Sequence, residues 1–250
     1  MKKLRWLWIL AALAIVAAIM LATFPARLAL SVLLPDTAAL QLEEISGSIW
    51  HGRAGRVLYQ GEDQGRLDWR LHAGSLLLGR IETAVHLAGN ELEAVATISR
   101  RGERVRIAAA HLTLPARRFD PVLDIPALQL TGTIRIDIEE LELQNRVPTA
   151  LKGSATWSDA GVTGEEQASF GTLGASFGAL SGGGFGGELA DQGGPLALDG
   201  YFRTTILGYE AEAILRPRDG NPQVTRALSH IGQVQPDGSV LFQVQGGIGR

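Results

Sequence analysis

With 250 residues, 46% hydrophobic and 20% charged, the chain is long enough to bury a core in one or two domains and too apolar for disorder. A formal net charge of −3 argues against a nucleic-acid partner, and the absence of cysteine removes thiol catalysis, cysteine-based zinc sites and disulfides. Thirty-one glycines, with little helical Glu/Lys/Leu patterning beyond the N-terminus, favour strands and turns.

The chain opens MKKLRWLWILAALAIVAAIMLATFPAR, in which Trp6 to Phe24 form 19 consecutive uncharged positions. At 1.5 Å per residue such a helix is about 28 Å long, close to the ~30 Å hydrocarbon core of a bilayer. Lys2, Lys3 and Arg5 precede the run and only Arg27 follows closely, so the positive-inside rule leaves residues 1–5 in the cytoplasm. Trp6 and Trp8 fall where an interfacial aromatic belt is expected. A cleavable signal peptide has a shorter apolar region, ~7–15 residues, followed by small residues at −3 and −1. The stretch LATFPARLA offers no A-x-A. The reading is therefore an uncleaved signal anchor over 6–24, with residues 25–250 outside the cytoplasm, in the periplasm of a two-membrane cell. Ala11, Ala14, Ala18 and Ala22 share one face of that helix; they are either a helix-packing surface or the ordinary abundance of alanine in membrane spans.

After Pro25, ARLALSVLL has the pattern of a short surface helix, ended by Pro35. SGSIWHGRAG (46–55) reads as a strand end, a turn and the start of the next strand, with Trp50 anchoring the core and His51 facing solvent. A binding or catalytic lip is the other reading of that Trp-His pair. LDWRL (67–71), IETAVHL (81–87), TIRIDIEELEL (133–143) and, more loosely, YEAEAIL (209–215) alternate apolar and polar residues, the period of half-buried strands. In the third, Ile134, Ile136 and Ile138 are predicted to point inward and Arg135, Asp137 and Glu139 outward. Turn signals such as GEDQG, AGN, RRGER, DQGG and PDG separate these runs, and a strand begins every 8–12 residues or so through most of the chain, which indicates an antiparallel meander rather than βαβ units. FGTLGASFGALSGGGFGG (170–187) is expected to be a flexible loop, or glycine-rich strands of poorly fixed register. NPQVTRALSHIG (221–232) reads as a helix with Asn221 as N-cap, Pro222 first and Gly232 beyond the end. The predicted fold class is mainly β: one N-terminal transmembrane helix, then a curved antiparallel sheet, meander or groove-like, with one or two short helices.

Chemistry is harder to find. Gly174-Ala175-Ser176-Phe177-Gly178 fits G-x-S-x-G, but ALSGGGFGG follows where a nucleophile elbow needs a helix. Gly182, Gly184 and Gly187 fit G-x-G-x-x-G, again without a helix to receive a pyrophosphate. His51, His72, His86, His111 and His230 show no metal-ligand spacing, and Glu139, Glu140 and Glu142 read as a solvated strand face. No catalytic, cofactor-binding or metal-binding residue is assigned: the chain is read as a non-enzyme without cofactor or small-molecule ligand. Without Lys2, Lys3 and Arg5, the exported part is more acidic than the whole, which argues against binding anionic headgroups by charge alone.

One ordered set of motifs carries a family likeness. An N-terminal span is followed by S-G-S-I-W-H-G-R-A (46–54), L-D-W-R-L (67–71), L-L-L-G-R (76–80), D-Q-G-G-P-L-A-L-D-G (191–200), L-R-P-R (215–218) and P-D-G-S-V-L-F-Q-V (236–244). This layout resembles the bacterial type II secretion system protein N family, also called general secretion pathway protein N. Gly47, Trp50, Gly52, Trp69, Gly194 and Pro195 are its signature residues here, read as structural. The resemblance implies a bitopic inner-membrane protein, an accessory part of the machine that exports folded proteins, contacting inner-membrane and periplasmic subunits. The alternative is a likeness to AsmA-like periplasmic proteins, in which an apolar groove handles lipid. A groove protein displays a continuous apolar concave face, whereas a docking domain closes its core and shows an exposed edge or patch.

Overall fold

The computed structural model describes residues 25–26, 40–123, 125, 127–145, 147–181, 183–205 and 208–247. The predicted anchor over 6–24 lies outside them, as do Lys2, Lys3, Arg5, Trp6, Trp8 and the alanine face at Ala11, Ala14, Ala18 and Ala22. Among the described residues no helix is long and apolar enough to cross a membrane.

The architecture is mainly β, and the chain forms two compact units, Met1–Asn90 and Glu91–Arg250. In the first, β1 (Leu40–Gly47), β2 (His51–Tyr59), β3 (Glu62–Leu71) and β4 (Ile81–Ala88) pair in sequence, each antiparallel to the next. One turn of helix, α1 (Ala73–Leu77), lies between β3 and β4. The second unit continues with β5 (Glu93–Arg101), β6 (Arg104–Pro115), β7 (Leu128–Gln144), β8 (Val147–Gly164), β9 (Ala168–Ala179), β10 (Phe185–Asp191), β11 (Leu196–Thr205) and β12 (Gly208–Pro217). It ends with α3 (Pro222–Leu228), β13 (Gln233–Val234) and β14 (Val240–Gly246), and a 3₁₀ turn (Ala116–Phe119) leads into α2 (Asp120–Leu123) after β6. Neighbouring strands are again consecutive, except that β14 pairs with β12 and the two-residue β13 lies outside it. The predicted meander is observed.

Strands of 17 and 18 residues, β7 and β8, are long for a twisted sheet, and bulges keep their apolar residues on one face. Ile134, Ile136 and Ile138 stand opposite Leu114, Leu112 and Ala110 of β6, and opposite Trp157, Ala155 and Gly153 of β8. In TIRIDIEELEL the apolar positions then switch from even to odd numbers. The register absorbs this switch at Glu139: Ile138 pairs with Gly153 but Glu140 with Lys152, so Leu141 stays on the isoleucine face. Strand β6 makes the matching change at Ala109, where φ is +49°, and Ile107 meets Leu141. The opposite face carries exposed cross-strand ion pairs, Arg106–Glu140 at 2.6 Å among them, each of small energetic weight.

The core lies near one end of this sheet. Leu128, Leu130, Val162, Phe170, Leu173, Leu196, Leu215 and Val240 are buried there beneath Val224, Ala227 and Leu228 of α3. The helix begins as the sequence indicates: Asn221 Oδ1 accepts from the backbone N–H of Gln223 (3.0 Å) and Val224 (3.3 Å), and Pro222 follows the cap. It stops at Leu228 rather than continuing to Ile231, although Ile231 still packs on the core.

The glycine-rich stretch 170–187 is a correction to the expected loop or slipping strands. It forms most of β9, a turn, and the start of β10, in unbroken register from Ala179 opposite Phe185 to Leu173 opposite Asp191. Phe177 lies beside Gly153, where an added Cβ would come within 2.6 Å of its ring, and Phe202 lies likewise beside Gly187. Glycine here makes room for a neighbouring strand's aromatic ring, which pins the register that glycine would otherwise loosen. Phe170 and Leu173 add buried anchors in the same strand. Gly187→Ala is therefore expected to destabilise the protein by about 2 kcal/mol through overpacking against Phe202 and the Ser176 carbonyl. Urea unfolding measures this, and an unchanged midpoint would contradict the ring-over-glycine account.

Candidate docking site

Each unit folds its family motifs into a corner. In the first unit Gly47, Trp50, Gly52 and Trp69 come together. Gly52 is the register partner of both Gly47 and Trp69, and the Trp69 ring occupies the space a Cβ on residue 52 would need. The Trp69 Nε1–H donates to the Ile49 carbonyl at 3.2 Å, and the Leu71 N–H donates to the Trp50 carbonyl at 2.8 Å. Gly47 has φ +82°, and a Cβ there would lie 2.5 Å from the His51 carbonyl oxygen, so only glycine closes this turn cleanly. His51 is exposed, as expected, whereas Trp50 is only half-buried and is not among the buried core residues, and the ring that seats on the glycine is that of Trp69.

In the second unit D-Q-G-G-P and L-R-P-R, some 25 residues apart, meet around one carboxylate. Asp191 accepts from the N–H of Gly193 and of Leu198, each at 3.0 Å, and from Arg218 Nη2 at 2.7 Å. Arg218 also donates Nη1–H to the Gly194 carbonyl (3.2 Å) and its backbone N–H to the Pro195 carbonyl (2.7 Å). Gly194, at φ +109°, approaches so closely that an added Cβ would sit 2.9 Å from Gly171 Cα. The Leu198 N–H above all, then Gly193 and Arg218, holds the Asp191 carboxyl below the usual carboxylate range, with burial acting in the opposite direction. Sequence reading named Gly194 and Pro195 and passed over Asp191 and Arg218, whose partnership depends on two strands lying side by side. The signal available was an Asp two residues before a Gly-Gly-Pro turn.

The motif matches for catalysis are placed elsewhere. Ser176 of G-x-S-x-G lies mid-strand in β9, opposite Ser154 and Glu188, with no turn or helix at the serine. Gly182 of G-x-G-x-x-G is outside the described residues, while Gly187 is within β10. The five histidines are dispersed, and among the described residues no group of three or more His, Asp or Glu could hold a metal ion. His111 Nδ1 lies 2.5 Å from Asp137 Oδ1 as an exposed cross-strand pair.

Among the described residues, the first unit presents two surfaces open to a partner. Strand β1 ends the strand order and has β2 on one side only, with Leu40, Gln41, Glu43 and Glu44 exposed. Beyond β3, Leu76, Leu77 and Leu78 of the L-L-L-G-R motif project with Ile81 as an exposed apolar group. The sequence signal was three successive leucines that fit no period of two.

The described residues define a mainly β meander protein whose glycine-led corners build strand joints and whose first unit presents an edge and an apolar patch. The family model described as "Type II secretion system (T2SS), protein N" matches residues 38–243, and the chain belongs to that family. It is also similar to the Type II secretion system protein N of Vibrio cholerae serotype O1 (strain ATCC 39315 / El Tor Inaba N16961), at 29% identity over 145 residues. That alignment covers 54% of this chain and 55% of the relative, so the chain spans about half the length of the curated relative it matches. No solved structure matches the chain.

Asp191→Ala removes three charge-assisted hydrogen bonds and is expected to cost about 3 kcal/mol at neutral pH. Because the folded carboxyl titrates below its unfolded value near 3.9, its contribution is present above that pH and disappears as pH falls through the folded value. Urea unfolding should therefore show the gap between wild type and variant narrowing from pH 7 to about pH 3. A gap constant across that range would refute the assignment of the corner's stability to the carboxylate.

Proposed function

We propose that the chain is a non-enzymatic accessory component of a type II secretion apparatus, anchored in the inner membrane by residues 6–24. Residues 1–5 remain in the cytoplasm and the β-rich part lies in the periplasm, where it contacts other inner-membrane and periplasmic subunits. The observation that carries this reading is the family match over 38–243, which takes in the strands from β1 into β14. The signature residues support it further: Gly47, Gly52, Trp69, Gly194 and Pro195 hold strand joints together. Contact is then the mechanism, with β1 offering unpaired backbone groups for strand addition.

Site-specific photo-crosslinking in the native host tests this. A crosslinker at Gln41, exposed on the β1 edge, is expected to yield adducts with other subunits of the apparatus. One at Glu188, exposed in the middle of the second unit's sheet, is expected to yield few. Equal or absent adducts at both positions defeat edge docking, and release of the chain from membranes by alkaline carbonate defeats the anchor.

A further inference from the structure

We infer that the leucine tip at residues 76–78 is a second membrane contact, dipping into the lipid surface of the same bilayer that residues 6–24 are proposed to span; this rests on the anchor proposed above. The exposures are the first observation. Leu77 is 91% exposed, Leu78 66%, Leu76 40% and Ile81 48%, a cluster of aliphatic side chains on one short excursion between β3 and β4. Isolated exposed leucines are ordinary, but four clustered large apolar groups mark a surface that meets something apolar.

The loop turns its leucine side chains outward while three of its N–H groups are bonded within it. The N–H of Leu78 bonds to the Ser75 carbonyl (3.1 Å), that of Gly79 to Leu76 (3.0 Å) and that of Arg80 to Ser75 (3.1 Å). The base is closed by the His72 N–H on the Glu82 carbonyl at 2.9 Å, while Ser75, itself buried, donates Oγ–H to Glu82 Oε2 at 3.2 Å. Lipid disfavours unbonded backbone polar groups, and the N–H groups of Leu78, Gly79 and Arg80 are bonded within the excursion, which lowers the cost of bringing its tip to a lipid surface. Its charged flank is basic, with Arg70 and Arg80 on either side, and the nearby carboxylate, Glu82, is engaged by Arg80 at 3.2 Å. Arginines beside leucines suit the phosphate layer above an acyl phase, even though the chain as a whole is acidic.

Chain continuity selects a bilayer over other apolar partners. Pro25, the residue after the uncharged run, bridges to Ser48 in the turn between β1 and β2. In that same turn Trp50 receives the N–H of Leu71, the last residue of β3, from which the leucine tip departs. The end of the run and the tip therefore emerge at one end of the first unit's strands. A chain leaving the membrane at Phe24 brings that end, and Leu77 with it, to the lipid surface.

The absence of cysteine makes the test clean. Leu77→Cys and, at the opposite end of β3, Glu62→Cys are each made in the full chain, labelled with NBD and reconstituted in phosphatidylethanolamine–phosphatidylglycerol vesicles carrying a doxyl-labelled lipid. At 77 the emission is expected to shift to the blue, to be quenched by the doxyl lipid and to escape aqueous iodide; at 62 the reverse is expected. Iodide quenching at 77 equal to that at 62 overturns the inference. Shielding from iodide without doxyl quenching overturns it too, by assigning the tip to a second copy of the chain. Alkaline carbonate extraction of the same vesicles separates the two claims: a retained chain with a wet position 77 loses only the tip, and an extracted chain loses both.

Discussion

Period-two alternation is the constraint on which this structure rests. A strand presents successive side chains to opposite faces, so a slip of one residue would turn every isoleucine of β7 from the apolar face to the wet one. Strands of 17 and 18 residues accumulate twist and cannot hold one register by alternation alone. The bulges at Glu139 and Ala109 let neighbouring strands change phase together, so Ile107 and Leu141 still meet. The core beneath α3 depends on that phase being kept, because Leu128 and Leu130 belong to the same strand as the isoleucines.

Glycine fills two different roles against this background. At Gly47 and Gly194 it supplies a left-handed backbone and close approach, which no side-chain-bearing residue gives without strain. At Gly153 and Gly187 it supplies space, and an aromatic ring from the next strand takes that space. A composition that suggests looseness therefore produces well-determined pairing, because Phe177 and Phe202 fit one register and no other.

The residues read from the sequence as a family signature form joints in the structure. Trp69 on Gly52, and Arg218 with Asp191 around the Gly194–Pro195 turn, hold chain reversals in place and leave the surface to other residues. Joints specify a scaffold, and any contact function lies in what the scaffold exposes. In the first unit that is the β1 edge and the leucine tip that follows β3.

Local physics made much of this legible from the sequence. Alternation revealed the strands and glycine-led turns the meander, while Asn221 and Pro222 announced α3, because each signal acts within a few residues of itself. The shift to odd-numbered leucines at 141 and 143 also stands in the sequence, but reading 133–143 as one alternation passed over it, and the register shows the bulge at Glu139. Tertiary structure decided whatever depends on two distant stretches becoming neighbours. It alone joined Asp191 to Arg218 and Trp69 to Gly52, and ordered the glycine-rich strands under phenylalanines from adjacent ones. It also brought the bridge from Pro25 to Ser48 to the same sheet end as the leucine tip. Composition and spacing record which residues are available; which ones touch is set by register, and register is a property of paired strands.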